Sequence, residues 1–277
     1  MESKLFALAD APAVLLLVSP LLAGDFRHGF TMRQGGVSAA PFDSFNLGWK
    51  WGDDARAVDE NHRRLLRVSG AWAMARASQV HGTRIVRVSA ATDLAALSAQ
   101  QADGLCGNAT GLGLSVHVAD CTPIVIGCRR TGACAALHAG WRGTVAGIAA
   151  AGVRTMSAEF GCHLEDLRVA IGPCIGVCCF EVGPEVVDAF AAADPCAREN
   201  GSIVMGRRKE HIDLRRVQRL QLEAAGVPPA NIDVSEDCTH CDRGGRFFSF
   251  RKAGRATGQM VGFIVPASPA EKSSEAH

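Results

Sequence analysis

The chain has 277 residues, 48% hydrophobic and 21% charged, and its 29 Lys and Arg against 28 Asp and Glu give a formal net charge of +1. That balance, without a run of five or six like charges, excludes the long-range field that draws proteins onto nucleic acid or anionic membranes. The length is ample for a well-buried core, and no stretch reaches the roughly 20 apolar residues of a membrane helix.

In chain order, the apolar run 13–18 ends at Ser19-Pro20 and reads as a first strand. With Glu2 and Asp10 upstream and Lys4 as the one cation, it makes a poor signal peptide. Helices are expected over 54–68, behind Asp53 and closed by Gly70, and over 144–160, closed by Gly161. Two more are expected over 184–193, with Pro at the start, and over 214–225, between Asp213 and Gly226. Short β-rich runs lie at 84–88, 113–119, 123–128, 133–138, 167–171, 247–250 and 261–265. The close spacing of those between 113 and 138 predicts adjacent antiparallel pairing, hence a mixed sheet.

No linker interrupts residues 26–265. The expected fold class is therefore α/β (α+β), a single compact domain over 26–265 whose mixed sheet is flanked by helices. Residues 1–25 form an N-terminal strand or extension, and 266–277, small and polar, a disordered tail. The eleven cysteines, an odd number, argue against a fully paired secreted disulfide framework and for a reducing, cytoplasmic setting.

Several groups carry chemistry. His81, Cys121 and His138 are two imidazoles and a thiol, a set that Zn²⁺ accepts with a fourth position left for water, although their spacings match no local metal motif. Cys121 and His138 both fall at predicted strand ends, where sites collect. The turn His138-Ala139-Gly140-Trp141-Arg142-Gly143 ahead of the 144–160 helix has the form of an anion-binding corner, with Arg142 beside the helix start. Its plain alternative is a tight turn with Trp141 as a packing plug. The glycine-rich loop Thr31 to Ser38 carries Arg33, and Asn46 follows; it lacks the strand-to-helix pattern of a nucleotide P-loop. Cys238-Thr239-His240-Cys241 and the thiols between Cys174 and Cys179 suit metal, a disulfide or plain packing, and no second Cys-x-x-Cys completes a four-ligand site at ordinary spacing. His62 and His117 read as structural.

Ordered pieces of the chain resemble the laccase-domain family, also called multicopper polyphenol oxidoreductase-like, whose bacterial members include peptidoglycan editing factors and purine nucleoside phosphorylases. They are Met32-Arg33-Gln34-Gly35-Gly36-Val37-Ser38, Phe45-Asn46-Leu47-Gly48, Gln79-Val80-His81-Gly82, Ala102-Asp103-Gly104, Ala119-Asp120-Cys121, His138 to Gly143, Ile171-Gly172-Pro173, Cys179-Phe180-Glu181-Val182-Gly183, Cys238-Thr239 and Phe247-Phe248-Ser249-Phe250-Arg251. The resemblance implies a laccase-domain (cytotoxic-necrotizing-factor-like) fold with zinc on the residues matching His81, Cys121 and His138. It implies phosphorolysis of adenosine, inosine, guanosine and S-methyl-5'-thioadenosine, together with adenosine deamination. The chain departs from the family at Ser249-Phe250-Arg251-Lys252-Ala253, where Ser-Tyr-Arg-Arg-Asp is usual, and it contains no Tyr.

On this reading Asp120 is a proton carrier or a partner of the thiolate. Arg33, Arg142 and Arg251 bind anionic or polar parts of the substrate, and Asn46 and Gln79 read purine edges or ribose hydroxyls. The partners are a nucleoside and phosphate, with no nucleic acid or membrane, and the chain is a monomer or a homodimer. Three alternatives stay open: a cysteine hydrolase or amidase, as in peptidoglycan editing, with Cys121 as nucleophile and His138 or His81 as base; a copper-bearing polyphenol oxidoreductase; and a binding protein with structural zinc. True multicopper chemistry fits poorly, because the chain holds nine His and none are two residues apart.

Overall fold

The computed structural model describes residues 1–8 and 11–266. From the N-terminus come β1 (Glu2–Leu8), β2 (Ala11–Val18), β3 (Phe26–Thr31), α1 (Ala55–Ser69), β4 (Ala73–Ala75), β5 (Ile85–Val88), α2 (Leu94–Ala99), β6 (Gly104–Gly107) and β7 (Leu112–Val118). Then follow β8 (Thr122–Cys128), β9 (Cys134–Ala139), α3 (Trp141–Val145), α4 (Ile148–Phe160), β10 (Leu167–Ile171), α5 (Pro184–Ala193), β11 (Ile203–Met205), β12 (Glu210–Ile212), α6 (Leu214–Ala224), β13 (Ile232–Val234), α7 (Phe250–Ala253) and β14 (Met260–Pro266).

Two six-stranded mixed sheets, ordered β1-β2-β3-β14-β7-β4 and β13-β10-β8-β9-β6-β5, pack face to face. The period of two along each strand decides which residues meet. Val125 of β8 and Cys134 and Ala136 of β9 point inward, against Phe30, Leu114, Val116 and Ile264 of the first sheet. Ile124, Ile126, Ala135 and Leu137 point outward, onto Val153 and Met156 of α4 and Leu222 of α6. On the far side Val14, Leu16, Phe263 and Val265 pack against Leu65 of α1. The result is one domain of four layers, helix, sheet, sheet, helix.

Most expected elements form within a residue or two of their predicted ends. The cap of α1 is Asp54, which accepts from the Arg56 amide at 2.9 Å, rather than Asp53. Three expectations are corrected. First, β8 and β9 pair antiparallel, but β7 leaves them for the other sheet, where it lies between β14 and β4. Second, the 144–160 helix is two helices, α3 and α4, because Gly147 adopts φ 79°, a left-handed conformation that ends one helical run before the next begins. Third, residues 247–250 form no strand. Phe247 and Phe248 are core plugs, and Ser249 caps α7 by accepting from the Lys252 amide. A run of aromatics looks like a strand in sequence because both conformations bury it. Residues 1–25 join the first sheet through β1 and β2, which pair antiparallel, while the expected tail lies outside the described residues apart from Pro266. No helix among the described residues is long and apolar enough to cross a membrane.

The glycine-rich loop ahead of α1 is held by one fully buried side chain of that helix. Asn61 accepts from the Val37 amide at 2.9 Å and donates to Ser38 Oγ, the Ser44 carbonyl and the Asn46 carbonyl at 3.0, 3.1 and 2.8 Å. Truncation takes the Asn61 partner from the Val37 amide and the Asn46 carbonyl at a buried position, while the Ser44 carbonyl keeps only the Ser38 amide. Asn61→Ala should lower unfolding stability by about 3 kcal/mol, read as an earlier urea midpoint at unchanged slope.

Candidate metal centre and cavity

Two sharp corners bring the candidate ligands together. The first is the crossing from β7 to β8, where Asp120 takes φ 87°. Its carboxylate accepts from Thr239 Oγ1 at 2.5 Å, Ser249 Oγ at 3.0 Å and the Arg251 amide at 2.6 Å, and its carbonyl accepts from the Ile175 amide at 2.9 Å. Left-handed backbone is unusual for a residue with a side chain, but Asp tolerates it when locally bonded. The carboxylate thus anchors the corner that presents Cys121.

The second corner is the loop before β5, where His81 takes φ 64°. The amides of Val80, His81 and Gly82 all donate to the Asp103 carboxylate, at 3.1, 2.8 and 2.7 Å. The same carboxylate lies 2.8 Å from Nδ1 of His138, and the Asp103 carbonyl accepts from the His138 amide at 2.7 Å. One buried Asp just ahead of β6 therefore holds both the His81 loop and the His138 ring. Engaging Nδ1 of His138 leaves its Nε2 for a ligand, the usual arrangement around a metal-bound histidine.

The donor atoms of His81, Cys121 and His138 lie within 4.8 Å of one another. His81 Nε2 is 3.9 Å from Cys121 Sγ, and the two imidazoles meet edge to face with centroids 4.9 Å apart. Space for this packing comes from Gly140, where a Cβ would sit 2.6 Å from His81 Cδ2 and 3.2 Å from Cys121 Sγ. Burial raises the Cys121 pKa, but the His138 charge and the hydrogen bonds from both imidazoles outweigh it and bring the thiol down to about 6. Burial lowers His138, but the Cys121 thiolate and the Asp103 hydrogen bond outweigh that and raise it to about 9. Asp103 is raised by burial and lowered further by His138 and the loop amides, so it stays ionised. Without metal the pair is a thiolate and an imidazolium.

The cluster opens into a cavity of about 340 Å³. Trp51, Ile175, Phe180 and Phe250 supply apolar walls, with the Trp51 and Phe250 rings 5.4 Å apart, and Lys50 and Arg251 bring positive charge. His117 also faces this cavity; its Nε2 is buried without a hydrogen-bond partner, and burial followed by the charges of His62 and Arg76 keeps the ring neutral. A larger cavity, about 430 Å³, lies between the first sheet and α1, but it holds no member of either metal-capable cluster.

The other sequence candidates divide. Gln79 lines the cavity, but its amide is spent on the His117 backbone, accepting and donating at 2.8 Å. Asn46 is buried in its own loop, bonded to Gly48, Asp53 and the Gln259 amide. Arg33 is paired with Asp43 at 2.8 Å, outside the cavity lining, and Arg142 stacks over Trp141 at 4.2 Å, also outside it. Arg251 lines the cavity and donates to the Glu181 carbonyl at 2.9 Å. Sequence reasoning missed Asp103, although the Ala102-Asp103-Gly104 piece was there to be read, and also Lys50, Trp51 and His117.

A layered α/β domain with a His₂Cys donor set at the mouth of a mixed apolar and basic cavity is the class this molecule represents. The family described as multi-copper polyphenol oxidoreductase laccase matches residues 27–267, and the chain belongs to that family. A mouse (Mus musculus) relative, named purine nucleoside phosphorylase LACC1, is 35% identical over 257 residues, 90% of this chain; the chain spans only 57% of that relative's length. The Geobacillus stearothermophilus relative named purine nucleoside phosphorylase YlmD is 38% identical over 245 residues, 85% of this chain and 88% of the relative. The crystal structure of YlmD from Geobacillus stearothermophilus superposes with a TM-score of 0.82 at 34% identity, covering 96% of this chain and 100% of that one.

The ion pair makes a prediction for metal-stripped protein. Alkylation of Cys121, followed by peptide mapping, should rise with pH through about 6, since the depressed thiol is already ionised above it. Asp103→Asn, which weakens the support of the imidazolium, should move that midpoint upward. A wild-type midpoint near the usual 8 to 9 contradicts the pairing.

Proposed function

We propose that the chain is a zinc-dependent purine nucleoside enzyme. It carries out phosphorolysis of adenosine, inosine, guanosine and S-methyl-5'-thioadenosine, and deamination of adenosine. The observation that carries this reading is the placement of His81, Cys121 and His138 together in the lining of a cavity with flat aromatic walls and two cations. The names of the relatives support it.

Zinc fits the residues present. Two imidazoles and a thiolate are a set it prefers, Gly140 leaves the room, and three protein donors are the number found where the fourth position stays open. When bound there it would supply Lewis acidity and lower the pKa of a coordinated water to about 7. The protein does the rest by positioning. Asp103 holds His138 and the His81 loop, and Asp120 holds Cys121 and the Arg251 backbone. Trp51, Phe180 and Phe250 offer flat apolar surface for the base, as small-molecule sites commonly do. Lys50 and Arg251 are the cations that would hold phosphate beside the sugar, where its oxygen forms a bond to C1' as the bond to the purine nitrogen breaks. Asp120, whose carboxylate already accepts three hydrogen bonds, acts as an anchor in this scheme, not as a proton carrier. Asn46 and Gln79 act likewise, through the loops they brace.

A second reading has its own observation. Cys121, His138 and Asp103 form a thiolate, imidazolium and carboxylate chain of the kind that serves cysteine hydrolases. Metal content separates the two. Wild type should retain zinc, release adenine from adenosine with phosphate and yield inosine without it, and Cys121→Ala should lose both products. A metal-free wild type inert toward adenosine overturns the zinc reading and favours the hydrolase.

Lys50→Ala should raise KM for phosphate about 10- to 100-fold, the worth of one charge-assisted hydrogen bond, while leaving phosphate-free deamination near wild type. Equal loss in both reactions would place Lys50 elsewhere in the scheme.

A further inference from the structure

The thiols outside the cavity converge as well. Cys178 and Cys179 follow β10 in the segment that carries Ile175, and Cys238 and Cys241 lie in the loop after β13. All four sulfur atoms lie within 4.8 Å of one another, and Cys178 Sγ is 3.6 Å from Cys241 Sγ. We infer that these four cysteines form a second metal site, a tetrathiolate shell for zinc. It does not depend on the nucleoside reading.

Three observations carry the inference. A tetrahedron with zinc–sulfur bonds of about 2.3 Å has edges of roughly 3.8 Å, so the sulfurs already stand near the spacing that one ion requires. The backbone is arranged to match: Cys174 and Cys238 form a parallel bridge, the Thr239 amide donates to the Cys174 carbonyl at 3.0 Å, and the Gly176 amide donates to Cys238 Sγ at 3.2 Å. An amide aimed at sulfur is what a metal-bound thiolate accepts. Third, all four cysteines are free thiols, the number of donors with which one zinc ion closes its shell. Cys178 and Cys241 are exposed, so the ion has a way in.

The site explains a feature of the cavity. Thr239, inside the Cys-Thr-His-Cys turn, donates to Asp120, and the Ile175 amide donates to the Asp120 carbonyl. Metal at the four cysteines would therefore clamp together the two segments that anchor the Cys121 corner and wall the cavity through Ile175, Phe180, Phe250 and Arg251. Four protein donors close the shell, which is the structural form of zinc, in contrast to the open three-donor cluster of His81, Cys121 and His138.

The test uses the full chain, purified under reducing conditions and equilibrated with zinc. Wild type should hold about two zinc per chain, Cys121→Ala one, and the Cys178→Ser, Cys241→Ser double variant one. If the double variant does not fold, the Cys121→Ala protein decides by itself. Loaded with Co²⁺, it should show the strong visible absorption and sulfur-to-cobalt charge transfer of a tetrahedral thiolate site. A Cys121→Ala protein that holds no zinc, a colourless Cys121→Ala protein with cobalt, or an intact mass lower by one disulfide under the same reducing conditions would each overturn the site.

Discussion

The buried carboxylate of Asp103 is the interaction on which the rest of the centre depends. Three successive amides of the His81 loop and the Nδ1 of His138 converge on it, and it is 1% exposed. An ionised carboxylate in such a place is costly unless its lone pairs are satisfied, and here four donors do so. The same bonds that offset its burial hold a left-handed histidine that no β or helical context would impose. Geometry at the His81, Cys121 and His138 cluster is therefore set by a residue that is not itself a candidate ligand.

Asp120 repeats the device on the opposite side. Its carboxylate gathers Thr239, Ser249 and the Arg251 amide from segments more than a hundred residues further along the chain. Between the two carboxylates, the cluster is fixed where the chain passes from one sheet to the other. The sandwich makes that crossing necessary: β7 belongs to the first sheet and β8 to the second, so only three residues, Ala119 to Cys121, span the gap. A short crossing under such restraint has few conformations, which suits a site that must hold its donors before any ligand arrives.

Much of this was legible in the sequence. The helices over α1, α5 and α6, and the strands β7 to β10 and β14, follow from caps and from apolar runs read with a period of two, since local signals decide them. The residue types of His81, Cys121 and His138, with the strand-end positions of the last two, mark them as a candidate donor set, and the fold brings their donor atoms within 4.8 Å of one another. What was not legible depended on distance along the chain. Asp103 is an unremarkable acid until a loop 21 residues before it and a strand 35 residues after it meet at its oxygens. Arg33 and Asn46 looked like substrate ligands, being polar residues in a glycine-rich loop, yet their polar groups are used to build that loop. The sheet switch of β7 escaped because short spacing predicts a hairpin, whereas a left-handed Asp can turn the chain into a different layer.

The departure at Phe250 bears on how the cavity does its work. Phe250 carries no hydroxyl, so the wall it shares with Trp51 is aromatic without a phenolic donor. The ring itself is kept, 5.4 Å from Trp51, on a helical turn whose first amides are held by Ser249 and Asp120. Flat apolar contact with a base needs the ring and its position, not the hydroxyl. Polar recognition in this chain must then come from the groups still present in the lining. Of these, His117 lines the cavity with a ring that burial holds neutral, its Nε2 buried without a hydrogen-bond partner. The imidazole of His117 and the cations Lys50 and Arg251 are then the polar groups set beside the aromatic walls.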